Sequence, residues 1–441
     1  MRKIRLNIIL SFFLLIFSLC FLPLKSEAAG KVAVYGPNPH YLQDAAGNPV
    51  VIVGFGNKEK SPSSILDQLQ GKISYQRVNV ALWNRLEDPN AYKFGRPWPM
   101  VNGKADMDTW NETYWINLRN YIENARDRGI IVCLTIWDGH SDLPGGRNGA
   151  DSVWNVQYNV QGVQWVYNAN ALTAFQNPQS TGGSFEKLVY YQRHWIDRLI
   201  REIKNYPNVL IELNNENAVA SEDWWLFWAQ YFKKGGDFVI AVNYEPGGAI
   251  SDTTFSITPL VDMKSYHGRI DRDITTTRYN YNKVIVADAD NTCSNLDANR
   301  ARGMAWGSFV RGGHWNDFVC PGTMFPDATK IGYYGKLLSF VKTRNIPFWQ
   351  MTPNNGLVSS GFALAKTGAY YLVYTQTSVN VDLSDTTGIL NYEWYDPRTG
   401  NAASSGQVQG GATRSFTIPS QNDYVLWITS SAIETLPPAS P

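Results

Sequence analysis

Hydrophobic and polar positions follow two different textures along this chain, with the change near residue 348. Between about residues 50 and 320, short apolar runs alternate with longer stretches of three- and four-residue periodicity. That is the pattern of parallel strands joined by crossover helices. Residues 50–55 and 74–82 read as the first two strands. Over 108–128, Trp110, Tyr114, Leu118, Tyr121, Ile122 and Ala125 recur at helical spacing, and Gly129, tolerant of the left-handed conformation beyond a helix end, stops the run. Strands are predicted at 130–137, 209–213, 237–242, 261–266, 283–287 and 314–319, and further helices at 185–204 and 296–311. Eight such units predict an α/β fold, a (β/α)₈ TIM barrel. A doubly wound open sheet shares this periodicity; its dinucleotide-binding version is disfavoured because no Gly-x-Gly-x-x-Gly turn follows the first strand.

Past residue 348 the runs shorten to 361–365, 370–375, 379–383, 390–395, 414–418 and 424–428, separated by turn residues such as Asp396, Pro397 and Gly400. This predicts a small β-sandwich. The domain plan is a signal peptide at 1–28, a barrel at 29–347, a sandwich at 348–430 and a disordered Pro/Ser-containing tail at 431–441. The signal rests on Arg2, Lys3 and Arg5 before an apolar run, then small residues at Ala28 and Ala29. Export to the extracellular space or periplasm follows.

Removing that leader leaves a nearly neutral chain of about −2, against +1 for the whole, with no basic footprint for nucleic acid or an anionic membrane. Of the cysteines beyond the leader, Cys293 and Cys320 are candidates to pair, while Cys133 falls within an apolar strand. The 16 Trp and 24 Tyr suit both a large aromatic core and the apolar faces of sugar rings. No cofactor is expected, and His140, His267 and His314 lack the spacing of a metal site.

In a TIM barrel the reacting groups stand at the carboxyl ends of the strands. Strand four ends Leu213-Asn214-Asn215-Glu216: an acid able to protonate a leaving glycosidic oxygen, beside an amide able to bind the sugar 2-hydroxyl. The plain alternative is a helix N-cap. The run from Val209 to Glu216 resembles the strand-four signature of clan A glycoside hydrolases, the group containing the family 5 cellulases. Gln76-Arg77-Val78-Asn79 resembles that clan's second strand, whose inward Arg holds the nucleophilic carboxylate ionised. Ser265-Tyr266-His267 is similar to its strand-six pair. Residues 41–50 and 392–400 are similar to a secreted bacterial branch carrying a C-terminal sandwich labelled as collagen-binding.

The resemblance implies a secreted, two-carboxylate, retaining glycosidase with Glu216 as donor, acting as a monomer on a polysaccharide or oligosaccharide. Strand seven departs from it: the clan's Glu is replaced by Asp288-Ala289-Asp290, and either aspartate could be the second carboxylate. Arg77, Trp137, His140, Asn215, Tyr244, His267 and Trp315 are the expected substrate contacts. The long connection from 138 to 183 adds Trp154, Tyr158, Trp165 and Tyr167. A non-catalytic carbohydrate-binding protein on a degenerate barrel, or a matrix-adhesion protein, are the competing readings.

Overall fold

Apolar strands that bury both faces close on themselves when helices cover the outside, and this chain does so. The computed structural model describes residues 30–57, 65–80, 94–138, 153–163, 186–215, 222–244, 250–266, 273–289, 296–318 and 327–430. The barrel strands are β1 (Val53–Asn57), β2 (Tyr75–Asn79), β3 (Ile131–Asp138), β4 (Val209–Asn215), β5 (Ile240–Tyr244), β6 (Met263–Tyr266), β7 (Val284–Asp288) and β8 (His314–Phe318). They are parallel neighbours in sequence order, and β8 pairs with β1 to close the ring. The described residues from Lys31 onward belong to one compact unit. Among the described residues no helix is long and apolar enough to cross a membrane.

Inward positions change character at one level on almost every strand. Low in the barrel stand Tyr75, Cys133, Leu210, Ala241, Met263 and Val286, all in one buried apolar cluster. Two residues further along, the same face carries Arg77, Thr135, Glu212, Asn243, Ser265 and Asp288, all buried and polar. The period of two makes this a layer: each strand spends its lower turn on packing and its upper turn on polar groups. The lower opening is covered by a three-stranded meander (Ala33–Val34, Leu42–Gln43, Pro49–Val50), whose Leu42 joins that cluster. Two-residue strands give too short a pattern to read from sequence.

Helices α1 (Ile65–Leu69), α2 (Glu112–Arg126), α3 (Glu186–Ile203), α4 (Glu222–Gly236), α5 (Asp252–Ile257), α6 (Asp273–Thr277), α7 (Ala298–Val310) and α8 (Ala328–Thr343) are the described helices of the wrapping layer. Asn111 caps α2 by accepting from the Thr113 backbone N–H, and Asp297 caps α7 through Arg300.

The C-terminal strands are β9 (Thr352–Pro353), β10 (Phe362–Lys366), β11 (Tyr370–Thr375), β12 (Val379–Asp382), β13 (Ile389–Asp396), β14 (Asn401–Gln409), β15 (Thr413–Phe416) and β16 (Tyr424–Ser430). Six form a sheet in the order β9-β10-β11-β16-β13-β14, and β12 pairs with β15 in the second. Strand β14, Asn-Ala-Ala-Ser-Ser-Gly-Gln-Val-Gln, lacks alternation because it is an exposed edge strand held only by β13. The sandwich is welded to the barrel. Arg302 on α7 holds Asp423 with two hydrogen bonds of 2.8 and 2.6 Å, and Tyr374 donates to the same carboxylate. The Tyr395 ring packs on Phe340 and Trp306 of the outer helices, in a core continuous with the barrel's.

Candidate functional site

The polar layer at the carboxyl ends of the strands is organised around Arg77. Its Nε donates to Glu212 Oε1 at 2.6 Å, its Nη2 donates to Asn215 Oδ1 at 2.8 Å, and its Nη1 lies 3.9 Å from Asp288 Oδ2. The Thr135 hydroxyl donates to the same Glu212 oxygen at 2.9 Å. A guanidinium is a rigid planar fork, so fixing Nε also fixes the directions of both terminal nitrogens. It has donors and no acceptor, which dictates that Asn215 turn its carbonyl oxygen towards it. The Asn215 amide nitrogen therefore faces away from Arg77; it is buried and has no hydrogen-bond partner among the described residues.

Asp288 ends β7, fully buried. Asn243 on β5 and Asn316 on β8 direct their amide nitrogens at its two oxygens, at 3.3 and 3.2 Å. Their own carbonyl oxygens are buried and unpaired among the described residues. Removal from water pushes the Glu212 carboxyl above the ordinary carboxylate range; Arg77 opposes that shift and Asp288 reinforces it. Burial likewise raises the neighbouring Cys133 thiol well above its usual value.

Strand four runs through both asparagines, so Asn214 and Asn215 are strand residues rather than a helix cap. The β4–β5 backbone ladder pairs Ile211 with Ile240 and Glu212 with Ala241. Above it Asn214 takes over, accepting from the Asn243 N–H at 3.1 Å and donating to the Asn243 carbonyl at 3.2 Å.

Of the expected site residues, Arg77, Asn215 and Asp288 come together. Tyr244 is the last residue of β5. Glu216, Asp290, His140 and His267 lie outside the described residues, as do Trp165, Tyr167 and the proposed Cys293–Cys320 pair. Trp137 and Trp315 belong elsewhere, which corrects their reading as sugar contacts. The Trp137 indole is fully buried among those of Trp154, Trp195, Trp224 and Trp228, with ring centroids 5.4 to 6.1 Å away. Trp154 is consumed in the same cluster. Trp315 is one residue out of phase with the inward His314 and Asn316. It lies behind the strand, buried, with its indole N–H donating to Tyr334 on α8. An aromatic at a strand end has the same sequence signature whether it faces the mouth or the helices.

Glu212, Asn243, Asn316 and Thr135 went unread, though each had a signal. Glu212 is a lone charge in the apolar run Val209-Leu210-Ile211-Glu212-Leu213, on the same face as Leu210. Asn243 lies one residue beyond the predicted end of strand five.

Residues 354–429 match the family model described as "Putative collagen-binding domain of a collagenase". Comparison with curated proteins finds no match. Among solved structures, one named a glycoside hydrolase is 16% identical with a TM-score of 0.63, the match covering 91% of this chain and 97% of that one. A glycoside hydrolase family 5 protein from Bacteroides vulgatus is likewise 16% identical with a TM-score of 0.63, over 93% and 95% of the two chains. A maltogenic alpha-amylase from Thermotoga neapolitana is 10% identical with a TM-score of 0.52, covering 86% and 99%. These neighbours share an overall fold with the chain: it has the barrel-and-sandwich architecture of glycoside hydrolases.

Proposed function

We propose that this chain is an exported glycoside hydrolase that cleaves a polysaccharide or its oligomers with retention of configuration. The observation that carries the reading is the orientation of Asn215. Arg77 accounts for its carbonyl oxygen, leaving a buried amide donor at the end of strand four, directly before Glu216 in the chain. A donor fixed in advance binds a sugar 2-hydroxyl most strongly as charge develops on the ring, and its reorganisation cost has been met in folding. Glu216 is the proton donor. The second carboxylate comes from strand seven, Asp288 or Asp290, and Arg77 Nη1 lies 3.9 Å from Asp288. His140, Tyr244 and His267 are proposed as sugar contacts from neighbouring strand ends. Export uses residues 1–28 as a cleaved leader, which N-terminal sequencing of the released protein tests.

The experiment is a turnover assay on a glycan panel and on activated aryl glycosides. Glu216→Gln is expected to lower kcat by about 10²–10⁴-fold with folding unchanged; undiminished turnover removes Glu216 from the mechanism. Asp288→Asn and Asp290→Asn are assayed separately with azide. An inverted glycosyl azide from one of them identifies the nucleophile, and its absence from both defeats the retaining pathway.

A further inference from the structure

We propose that Glu212 is a positioning residue for this hydrolysis, aiming Arg77 so that Asn215 presents its amide donor to the sugar and Asp288 keeps its counter-ion. The inference rests on the hydrolase reading above. Glu212 stands one layer below the mouth and is fully buried. One of its oxygens receives both Arg77 Nε and the Thr135 hydroxyl; the other is buried without a hydrogen-bond partner among the described residues. A buried carboxylate oxygen without a partner costs stability rather than adding to it. A buried ion pair is seldom the most stable filling for an interior position, and an apolar residue of the same volume commonly does as well. Leu210, on the same face of the same strand, shows that this interior accepts one.

What the charge supplies is direction. With Nε held by Glu212, the plane of the guanidinium is set, and Nη2 and Nη1 point at Asn215 and Asp288. One guanidinium therefore joins the residue before the proposed acid to the candidate second carboxylate, and Glu212 is its anchor. Without Glu212 the guanidinium loses the contact that sets its plane, which weakens the contact that decides which end of the Asn215 amide faces the sugar. Glu212 touches no reacting atom in this scheme; it acts through Arg77.

The test compares wild type, Glu212→Gln and Glu212→Leu on an aryl glycoside and on its 2-deoxy counterpart. Gln keeps an acceptor oxygen and volume; Leu keeps only volume. Expected losses of kcat on the full glycoside are about 10-fold for Gln and about 100-fold for Leu, with KM within about threefold, the scale seen when a group supporting a site residue is removed. On the 2-deoxy substrate the penalty of each variant shrinks by about tenfold for Leu and nearly vanishes for Gln, because the Asn215 donor has no hydroxyl to hold. Equal penalties on both substrates overturn the route through Asn215, and with it the proposal as stated. If the Leu variant does not fold, the Gln variant carries the same comparison. A wild type that hydrolyses no glycoside defeats the hydrolase reading instead. The crystal structure of Glu212→Gln then decides the positioning alone: an Arg77–Asn215 separation beyond about 3.5 Å supports it, and an unchanged contact overturns it.

Discussion

The two ends of this barrel obey opposite rules although the same strands build both. At the lower end the interior is apolar, closed by Leu42 and Ile52, apart from the Tyr75 hydroxyl, which has no hydrogen-bond partner among the described residues; its His314 is fully used. His314 Nδ1 accepts the Ile52 N–H at 3.0 Å, so Nε2 carries the proton and donates to the His40 carbonyl at 2.9 Å. At the upper end, two residues along each strand, polar side chains are packed just as deeply, yet several keep an atom unpaired among the described residues: Glu212 Oε2, Asn215 Nδ2, Asn243 Oδ1, Ser265 Oγ and Asn316 Oδ1. Buried polar atoms normally find partners, because each one left without costs about 1–3 kcal/mol. Five at this end mark a surface shaped for something other than stability. The lower end holds the fold together, and the upper end draws on that stability.

The harshest way to break this comparison is Arg77→Met. It leaves Glu212 and Asp288 buried without their cation, and losing one member of a buried ion pair costs about 3–5 kcal/mol. Turnover is expected to fall below detection. Denaturant melts beside activity assays check both; a variant as stable as wild type would show that the upper layer is not organised by charge.

Next in size is His314→Leu at the lower end, which leaves the Ile52 N–H and the His40 carbonyl unpaired. A loss of about 2–4 kcal/mol is expected, with kcat of the folded enzyme unchanged; a fall in kcat would mean that the two ends are coupled. The same imidazole gives a pH test. Burial lowers both His40 and His314 from 6.5 to about 4. The unfolded chain therefore binds these protons more tightly than the folded one. Their contribution is complete above pH 6.5 and is lost as pH falls towards 4, by about 1 kcal/mol per imidazole at pH 5.5. Unfolding free energies measured from pH 7.5 to 5 should show this slope, and His314→Leu should lose about half of it. An unchanged slope would assign the protons elsewhere.

The same contrast decides how much could be read in advance. Strands and helices of the barrel announce themselves because burying both faces of a strand demands an apolar run, and one face of a helix demands spacing near 3.6. The meander over 33–50 and the polar edge strand β14 bury too little for any such pattern. Within the site, Arg77, Asn215 and Asp288 were visible through resemblance at strand ends. Asn243 was not, because an asparagine at a strand end also reads as a turn, and Asn316 was not, because it sits inside β8 between two more conspicuous side chains, Trp315 and Asp317. Trp137 and Trp315 failed for a physical reason: large aromatics satisfy the barrel–helix interface and a sugar platform equally well, and for Trp315 one residue of phase separates the two.

The smallest effect is also the most discriminating. Ser265 is buried on the inner face of β6, and its hydroxyl has no hydrogen-bond partner among the described residues. Ser265→Ala removes a desolvated polar atom and leaves a gap of only one oxygen. In a layer optimised for stability this change would be neutral or harmful. In a layer that trades stability for a prepared polar surface, it should raise the unfolding free energy by about 0.5–1 kcal/mol. Thermal and denaturant midpoints of the variant against wild type measure it. A lower midpoint would mean that the hydroxyl already serves the folded state, and the contrast between the two ends would then have to rest on Glu212 and the three asparagines alone.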